Sequence, residues 1–184
     1  NCISSYNFHL MFTTLLNFCS NDLSSFYFDI RKDTIYCDSS NSKKRRAART
    51  LLDILFNYIV RWLAPFLVFT CEEAWKSKGN SLSIHLEEFF KTDIKFRNDV
   101  IAKKWEKVKD IRKVITGALE VKRADKTIGS SLESHVDIYL SKEINSIIEN
   151  IDMAEIAITS SATIMTGDSH SSGFSIDDIK DVVV

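Results

Sequence analysis

Apolar positions recur every three or four residues through the first two thirds of the chain, which is the period of an α-helix with one buried face. The residues 6–18 follow this period, and Asn21 and Asp22 are suited to cap a second helical segment. A long helix is predicted from about Ser42, ending or kinking before Pro65, because the proline ring clashes with the preceding turn.

Two further helices are predicted after Pro65. The first runs to about Lys78, where Gly79 and Asn80 stop it. The second starts at Asp99 and fades near Gly129, and its apolar side comprises Ile101, Trp105, Val108, Ile111, Ile115 and Leu119. The intervening stretch, 81–96, has no single apolar face and is predicted to be irregular.

The last third of the chain changes character. Apolar and polar residues alternate at 136–140, which predicts a short strand, and 141–150 has the spacing of a short helix. A second strand is predicted over 155–165. The segment 167–175 is rich in Ser, Gly and His and is predicted to be flexible.

Composition supports a mostly α fold. The 184 residues include one proline and five glycines, too few for a turn-rich sheet protein. We therefore expect a helical bundle over residues 1–130, followed by a small α+β domain over 131–184 that ends in a flexible tail. The longest apolar region is interrupted by charge and by proline, which argues against a membrane span.

Charge is unevenly distributed although the formal net charge is only −1. Residues 95–126 hold eleven Lys and Arg against five Asp and Glu, whereas residues 127–184 hold two against ten. A basic middle indicates a polyanionic partner, but solvated helix faces also carry many lysines, and charge alone does not separate the two interpretations.

Catalytic and metal-binding patterns are missing from the sequence. It has no Gly-rich phosphate loop, no Gly-x-Ser-x-Gly and no His-Glu-x-x-His, and the four histidines are scattered. The cysteines Cys2, Cys19, Cys37 and Cys71 are too far apart for a Cys-x-x-Cys pair and are predicted to be reduced, packed thiols of a cytoplasmic protein. No catalytic residue and no metal ligand is predicted.

Cations are the remaining candidates for function. A helix start ordinarily favours acidic residues, so a group of cations there indicates either phosphate contacts or ion pairs, with Asp29, Asp33 and Asp53 as possible partners. Cations at a helix C-terminus also suit the helix dipole. The predicted nucleic-acid contacts are Arg31, Lys32, Lys43, Lys44, Arg45, Arg46, Arg49, Lys113, Lys122, Arg123 and Lys126. The nearby Phe26 and Tyr27 are suited to base stacking, but aromatic residues in a helix are more often core.

Several ordered motifs resemble a known family. They are NFC at 17–19, DLSSFYFDIRKD at 22–33, YCD at 36–38, RRAART at 45–50, WLAP at 62–65, TCEEAW at 70–75, ALEV at 118–121 with Arg123 and Lys126, and IGSSLE at 128–133. Together they resemble the C-terminal helical region of bacterial-type isoleucyl-tRNA synthetase, a class I aminoacyl-tRNA synthetase, over roughly residues 6–140.

The resemblance implies an anticodon-binding helical bundle followed by a small junction domain, with tRNA(Ile) and the catalytic and editing domains of the same polypeptide as partners. The HIGH and KMSKS signatures of the family's catalytic domain, which uses ATP and magnesium, do not occur here, nor do the cysteines of its zinc module. No cofactor is therefore expected in this chain. Two alternatives stay open: a strut that docks a catalytic domain, and a protein-interaction module without RNA contact.

Overall fold

A computed structural model describes residues 2–167 and 173–184. By their internal contacts these divide into two compact units, Asn1–Thr92 and Asp93–Val184. The domain boundary near residue 130, which the change of composition predicts, remains a prediction. The contacts group the long basic helix with the strands that follow it.

The first unit begins with a continuous helical stretch. Helix α1 (Phe8–Asn17) passes into a π-helical segment (Phe18–Phe28) and then into α2 (Asp29–Tyr36) without leaving helical backbone angles. The break predicted at Asn21 and Asp22 is therefore wrong, because wider turns accommodate these residues within the helix.

Helices α3 (Lys43–Leu63) and α4 (Val68–Ser77) complete the first unit and flank Pro65, as the sequence predicts. Gly79 ends α4 with a φ of 92°, a left-handed conformation that favours glycine. Single 3₁₀ turns at Ile84–Leu86 and Ile94–Phe96 interrupt the otherwise irregular stretch that follows. The core comprises Val60, Ala64, Cys71, Trp75 and Ile84, with Phe56, Leu63 and Ala74 packed against it.

The second unit is built on α5 (Asp99–Ala124), whose buried side is Val108, Ile111, Val114, Ile115 and Leu119. This side matches most of the predicted apolar stripe. The helix ends earlier than expected, at Ala124 rather than near Gly129. Lys126 takes the left-handed position after the helix end instead of a glycine, with a φ of 59°.

In the described residues the second unit contains a three-stranded sheet in the order β2-β1-β3. The strand β1 (His135–Leu140) pairs in parallel with β2 (Ser161–Thr166) over all six residues, and antiparallel with the short β3 (Val182–Val183). Alternate residues of β1 are buried, which confirms the predicted strand. A 3₁₀ turn (Ser131–Glu133) precedes it.

Two short helices connect β1 to β2. The first, α6 (Lys142–Ile147), is the predicted one. The second, α7 (Met153–Ala157), lies where the sequence predicts the start of a strand, so this part of the prediction is wrong. The Asp152 carboxylate accepts the amides of Ala154 and Glu155 at 3.0 and 3.2 Å, and this cap starts a helix.

The fold class is therefore confirmed as mostly α with a small α+β part. The predicted flexible segment 167–175 lies largely outside the described residues. No helix among the described residues is long and apolar enough to span a membrane. Cys71 is buried and Cys19 half-buried, and burial raises the pKa of both thiols, whereas Cys37 is exposed.

Candidate nucleic-acid interface

The N-terminal two turns of α3 form the most cationic stretch of the first unit. The Ser42 side chain caps the helix by accepting the amide of Arg45 at 3.3 Å. The first turn contains no acidic residue. Because the free amides at a helix start already carry partial positive charge, the cations that follow add to a positive potential instead of cancelling it.

Arg45 has a different role from its neighbours. It is half-buried, and its Nη1 donates to the carbonyl oxygen of Asp38 at 2.7 Å. Ser42 also holds this connection, since its hydroxyl donates to the Asp38 carboxylate at 2.8 Å. The Nε of Arg45 is buried without a hydrogen-bond partner among the described residues. Arg45 therefore fixes the link between α2 and α3, so it is a positioning residue more than an exposed phosphate ligand.

Three other cations remain available on α3. Lys43, Arg46 and Arg49 are exposed, and none of them forms an ion pair within the described residues. They are three residues apart, so each lies about 4.5 Å further along the helix axis than the one before. We call Lys43, Arg46 and Arg49 the α3 cation row. Lys44, in the same turn, is also exposed.

The acidic residues that could have neutralised this row are engaged elsewhere. Asp29 pairs with Lys32 at 3.0 Å, and Asp53 pairs with Lys78, the residue after the end of α4. Among the described residues no ion pair joins Asp33 to the row. Among the described residues, the acids of the bundle therefore do not neutralise Lys43, Arg46 and Arg49.

The cations of α2 are less available. Arg31 is half-buried and hydrogen-bonds the Tyr27 side chain; burial raises the pKa of Tyr27, and the Arg31 charge and hydrogen bond oppose this rise. Tyr27 and Phe26 are half-buried, in agreement with the core interpretation of these aromatic residues. Lys32 is exposed on 65% of its side chain despite its pairing with Asp29.

The candidate cations of the second unit do not share one face of α5. Lys113 and Lys122 are nine residues apart, which puts them on opposite sides of a helix with 3.6 residues per turn. Arg123 pairs with Glu120 one turn earlier, and Lys126 lies beyond the helix end. Lys113, Lys122 and Lys126 are exposed. These cations therefore do not form one face along α5, and their contact with nucleic acid remains a prediction.

Some of the basic residues of α5 serve as internal anchors. The Lys104 ammonium donates to the carbonyl oxygen of Glu149 at 2.9 Å, and the Nε of Arg112 donates to that of Ile156 at 2.9 Å. These bonds tie α5 to the short helices that follow β1. Part of the net positive charge of residues 95–126 thus has a structural explanation.

Two residues in unusual surroundings were not singled out from the sequence. Arg61 is only 6% exposed, in the middle of the first unit, although arginine is rarely buried. Tyr36 is 81% exposed, at the end of α2. Its position four residues after Lys32 was the only signal that could have indicated an exposed aromatic residue beside a cation.

Comparison with known proteins places this arrangement in a family. The profile described as the anticodon-binding domain of tRNA ligase matches residues 1–152. The isoleucine–tRNA ligase of Bartonella henselae is 45% identical over 181 residues, which are 97% of this chain and 19% of that protein. The enzymes of the same name from Pelagibacter ubique and Brucella abortus biovar 1 are 47% and 43% identical, over 89% and 98% of this chain.

The chain spans about a fifth of the length of these curated relatives. The family profile covers both the first unit, with its α3 cation row, and much of the second unit. The chain therefore belongs to the family of anticodon-binding domains of tRNA ligases, and it is similar to the part of isoleucine–tRNA ligases that contains this domain.

Proposed function

We propose that this chain holds the anticodon stem-loop of tRNA(Ile), as part of a longer ligase whose other parts activate isoleucine with ATP and transfer it to the tRNA. The names of the relatives support the choice of amino acid. The role proposed for this chain is to bind and orient the RNA, and no residue of the chain is proposed to be catalytic.

The observation that carries the proposal is the α3 cation row. Lys43, Arg46 and Arg49 are exposed and form no ion pair within the described residues, at the start of a helix that Arg45 and Ser42 hold in place. Exposed cations at this spacing can contact successive phosphates of one RNA strand. Such contacts fix position and orientation but do not read sequence.

A strut that docks the rest of the ligase is the second candidate function. It is favoured by exposed apolar residues of the first unit such as Leu67, Val68 and Phe69, the last of which is 88% exposed. A strut would use the same bundle without needing RNA contact by the cations. The two functions differ in what removal of the α3 cation row does.

A salt titration of tRNA binding tests the proposal. Removing one cation that pairs with a phosphate reduces the slope of log affinity against log salt by roughly 1. We expect the double variant Arg46→Gln with Arg49→Gln to lower the affinity for a tRNA(Ile) transcript and to reduce the slope by about 2. The matched control is Lys76→Gln with Lys78→Gln, which removes two cations that pair with Glu72 and Asp53.

The control should change the slope less than the α3 double variant does. Binding of the 184-residue chain to tRNA that is independent of salt, or no stronger than to a competitor polyanion, contradicts the proposal. Unchanged RNA affinity of the α3 double variant, with weaker association to the remaining ligase domains, favours the strut.

A further inference from the structure

Tyr36 is the last residue of α2, and Ser42, the cap of α3, follows six residues later. Tyr36 is 81% exposed, and its side chain forms no hydrogen bond or ring contact within the described residues. The tyrosine ring normally buries a large apolar area, so a ring left in solvent at a fixed position is available to a partner.

Charged residues of both signs lie near Tyr36 in the sequence, with Asp33 three residues before it and Asp38 two residues after it. Lys32 lies one helical turn earlier on the same face of α2, at a spacing that brings Cβ atoms to about 6 Å. The bond from Arg45 to the Asp38 carbonyl ties the start of α3 to the connection two residues after Tyr36. Consecutive Cα atoms are about 3.8 Å apart, so the tyrosine backbone lies within about 8 Å of Asp38.

The end of α2 and the start of α3 thus form one corner of the helical hairpin. This corner contains Tyr36 at the end of α2 and the α3 cation row at the start of α3. The corner is held by Arg45 and by the bond between Ser42 and Asp38, so the backbone that carries both groups is fixed before any partner binds. A preorganised site loses less conformational entropy on binding than a mobile one.

Phe69 provides the contrast within the same unit. It is 88% exposed, but its sequence neighbours Leu67 and Val68 are also exposed and apolar, a setting that suits an apolar protein surface. Tyr36 instead has the cation Lys32 one turn earlier on its own helix, and the α3 cation row begins seven residues later, at Lys43. An aromatic face beside cations is the combination that binds single-stranded nucleic acid, where bases stack on the ring and phosphates pair with the charges.

We propose that the Tyr36 ring is a stacking platform for one unpaired nucleobase, and that Lys43 and Arg46 hold the phosphates next to that base. This inference rests on the proposed function and adds to it a base-contacting residue. Sequence-specific RNA recognition uses unstacked bases in loops, and these stack on aromatic side chains. The ligand class is therefore an RNA loop or single strand with an exposed base, and stacking by itself does not select which base.

The test uses the 184-residue chain and an RNA hairpin with the anticodon loop of tRNA(Ile), in which one loop base is replaced in turn by 2-aminopurine. Stacking on an aromatic ring quenches the fluorescence of this base analogue. Alanine replacement of a stacking residue costs about 1–3 kcal/mol per base, which corresponds to roughly 5- to 150-fold in affinity. We expect Tyr36→Ala to weaken binding within this range and to abolish the quenching at one loop position.

The salt dependence separates this role from that of the cations. Tyr36→Ala should leave the slope of log affinity against log salt unchanged, because every cation that pairs with a phosphate is still present. Tyr36→Phe should retain affinity and quenching, since the ring is kept. Phe69→Ala is the matched control for removal of an exposed aromatic residue and should bind as the unmodified chain does.

The outcomes distinguish this inference from the proposed function. If the unmodified chain binds the hairpin with salt dependence but Tyr36→Ala binds equally well, the stacking platform is wrong and the proposed function stands. If the unmodified chain does not bind the hairpin, both fail. If Tyr36→Ala binds RNA normally but weakens association with other domains of the ligase, the ring contacts protein and the inference is overturned.

Discussion

Arg61 and Glu87 form an ion pair of 2.7 Å, between Nη2 and Oε2, across 26 residues of sequence. The arginine is buried in the first unit, whereas the glutamate is partly exposed. The guanidinium carbon lies 4.6 Å from the ring centroid of Trp75 and 4.1 Å from that of Phe90. One buried cation therefore joins α3, α4 and the irregular stretch that follows them.

Replacement of Arg61 should destabilise the first unit. Arg61→Ala removes two aromatic contacts and the ion pair, and leaves a cavity in the core. We expect a decrease of about 3 kcal/mol in the free energy of unfolding, typical of breaking a buried pair from one side. Urea unfolding followed by tryptophan fluorescence measures it.

Arg61→Lys should recover only part of this decrease, because the ammonium has no planar face to stack between two rings. Glu87→Gln keeps the shape of the partner and should cost less than Arg61→Ala, because the glutamate is partly exposed. An Arg61→Ala protein as stable as the unmodified chain contradicts the structural role given to this residue.

Glu72 should make the stability of the first unit dependent on pH in the acid range. Its carboxylate accepts the Ser83 hydroxyl at 2.8 Å and the Ile84 amide at 2.9 Å, and these bonds, in this order, hold the pKa of Glu72 below its ordinary value. A group with a lowered pKa in the folded state contributes stability above its unfolded pKa, and this contribution disappears as the pH falls through the folded value.

Glu72→Gln should therefore lower stability at neutral pH and flatten the decrease of stability on acidification. Glu73→Gln is the matched control, since Glu73 is the exposed neighbour. Thermal unfolding between neutral pH and the acid range gives the comparison. Identical pH profiles for Glu72→Gln and the unmodified chain would show that the bonds to the 83–84 turn carry no net stability.

Replacement of Lys126 by glycine should change stability and RNA affinity in opposite directions. Its φ of 59° is left-handed, and the amide of Thr127 donates to the carbonyl oxygen of Lys122 at 2.9 Å, as in a Schellman helix end. Glycine tolerates this conformation, so Lys126→Gly should stabilise the second unit by about 1 kcal/mol.

If Lys126 also contacts a phosphate, Lys126→Gly should lower RNA affinity and reduce the salt slope by about 1 despite its higher stability. Lys126→Ala is the control, because it removes the charge and keeps the strained backbone. Equal decreases of affinity in both variants indicate a phosphate contact. RNA affinity equal to that of the unmodified chain in both would remove Lys126 from the interface.

Most of the helices could be predicted from the sequence because their boundaries are set locally. A proline, a glycine with positive φ and a capping serine lie at the ends of α3 and α4, and each acts through the bonding of its own backbone or side chain within a few residues. The strand β1 was likewise evident from its alternation. The short α7 was missed because a five-residue helix gives too few positions to distinguish its period from that of a strand.

The types of residue in the candidate site could be predicted from the sequence, but their arrangement in space could not. The sequence indicated cations near the start of α3, yet only the packing showed that Arg45 is bound to Asp38 while Arg46, one residue later, is exposed. Neighbouring helix positions differ by about 100° in direction, so the identity of the buried position decides which cation faces solvent. The exposure of Tyr36 depends in the same way on how α2 packs against α3.

Local pattern thus determined the mostly helical class and the main turns of this protein, because those depend on contacts within one or two turns of the chain. The motifs alone also indicated the family. Tertiary structure decided the rest. Gly117 lies in the interior of α5, where glycine is ordinarily unfavourable. A Cβ at this position would lie only 2.6 Å from an atom of the Phe174 ring, so the packing of that ring requires glycine. The burial of Arg61 and the availability of the α3 cation row depend similarly on residues distant in sequence, which no local pattern contains.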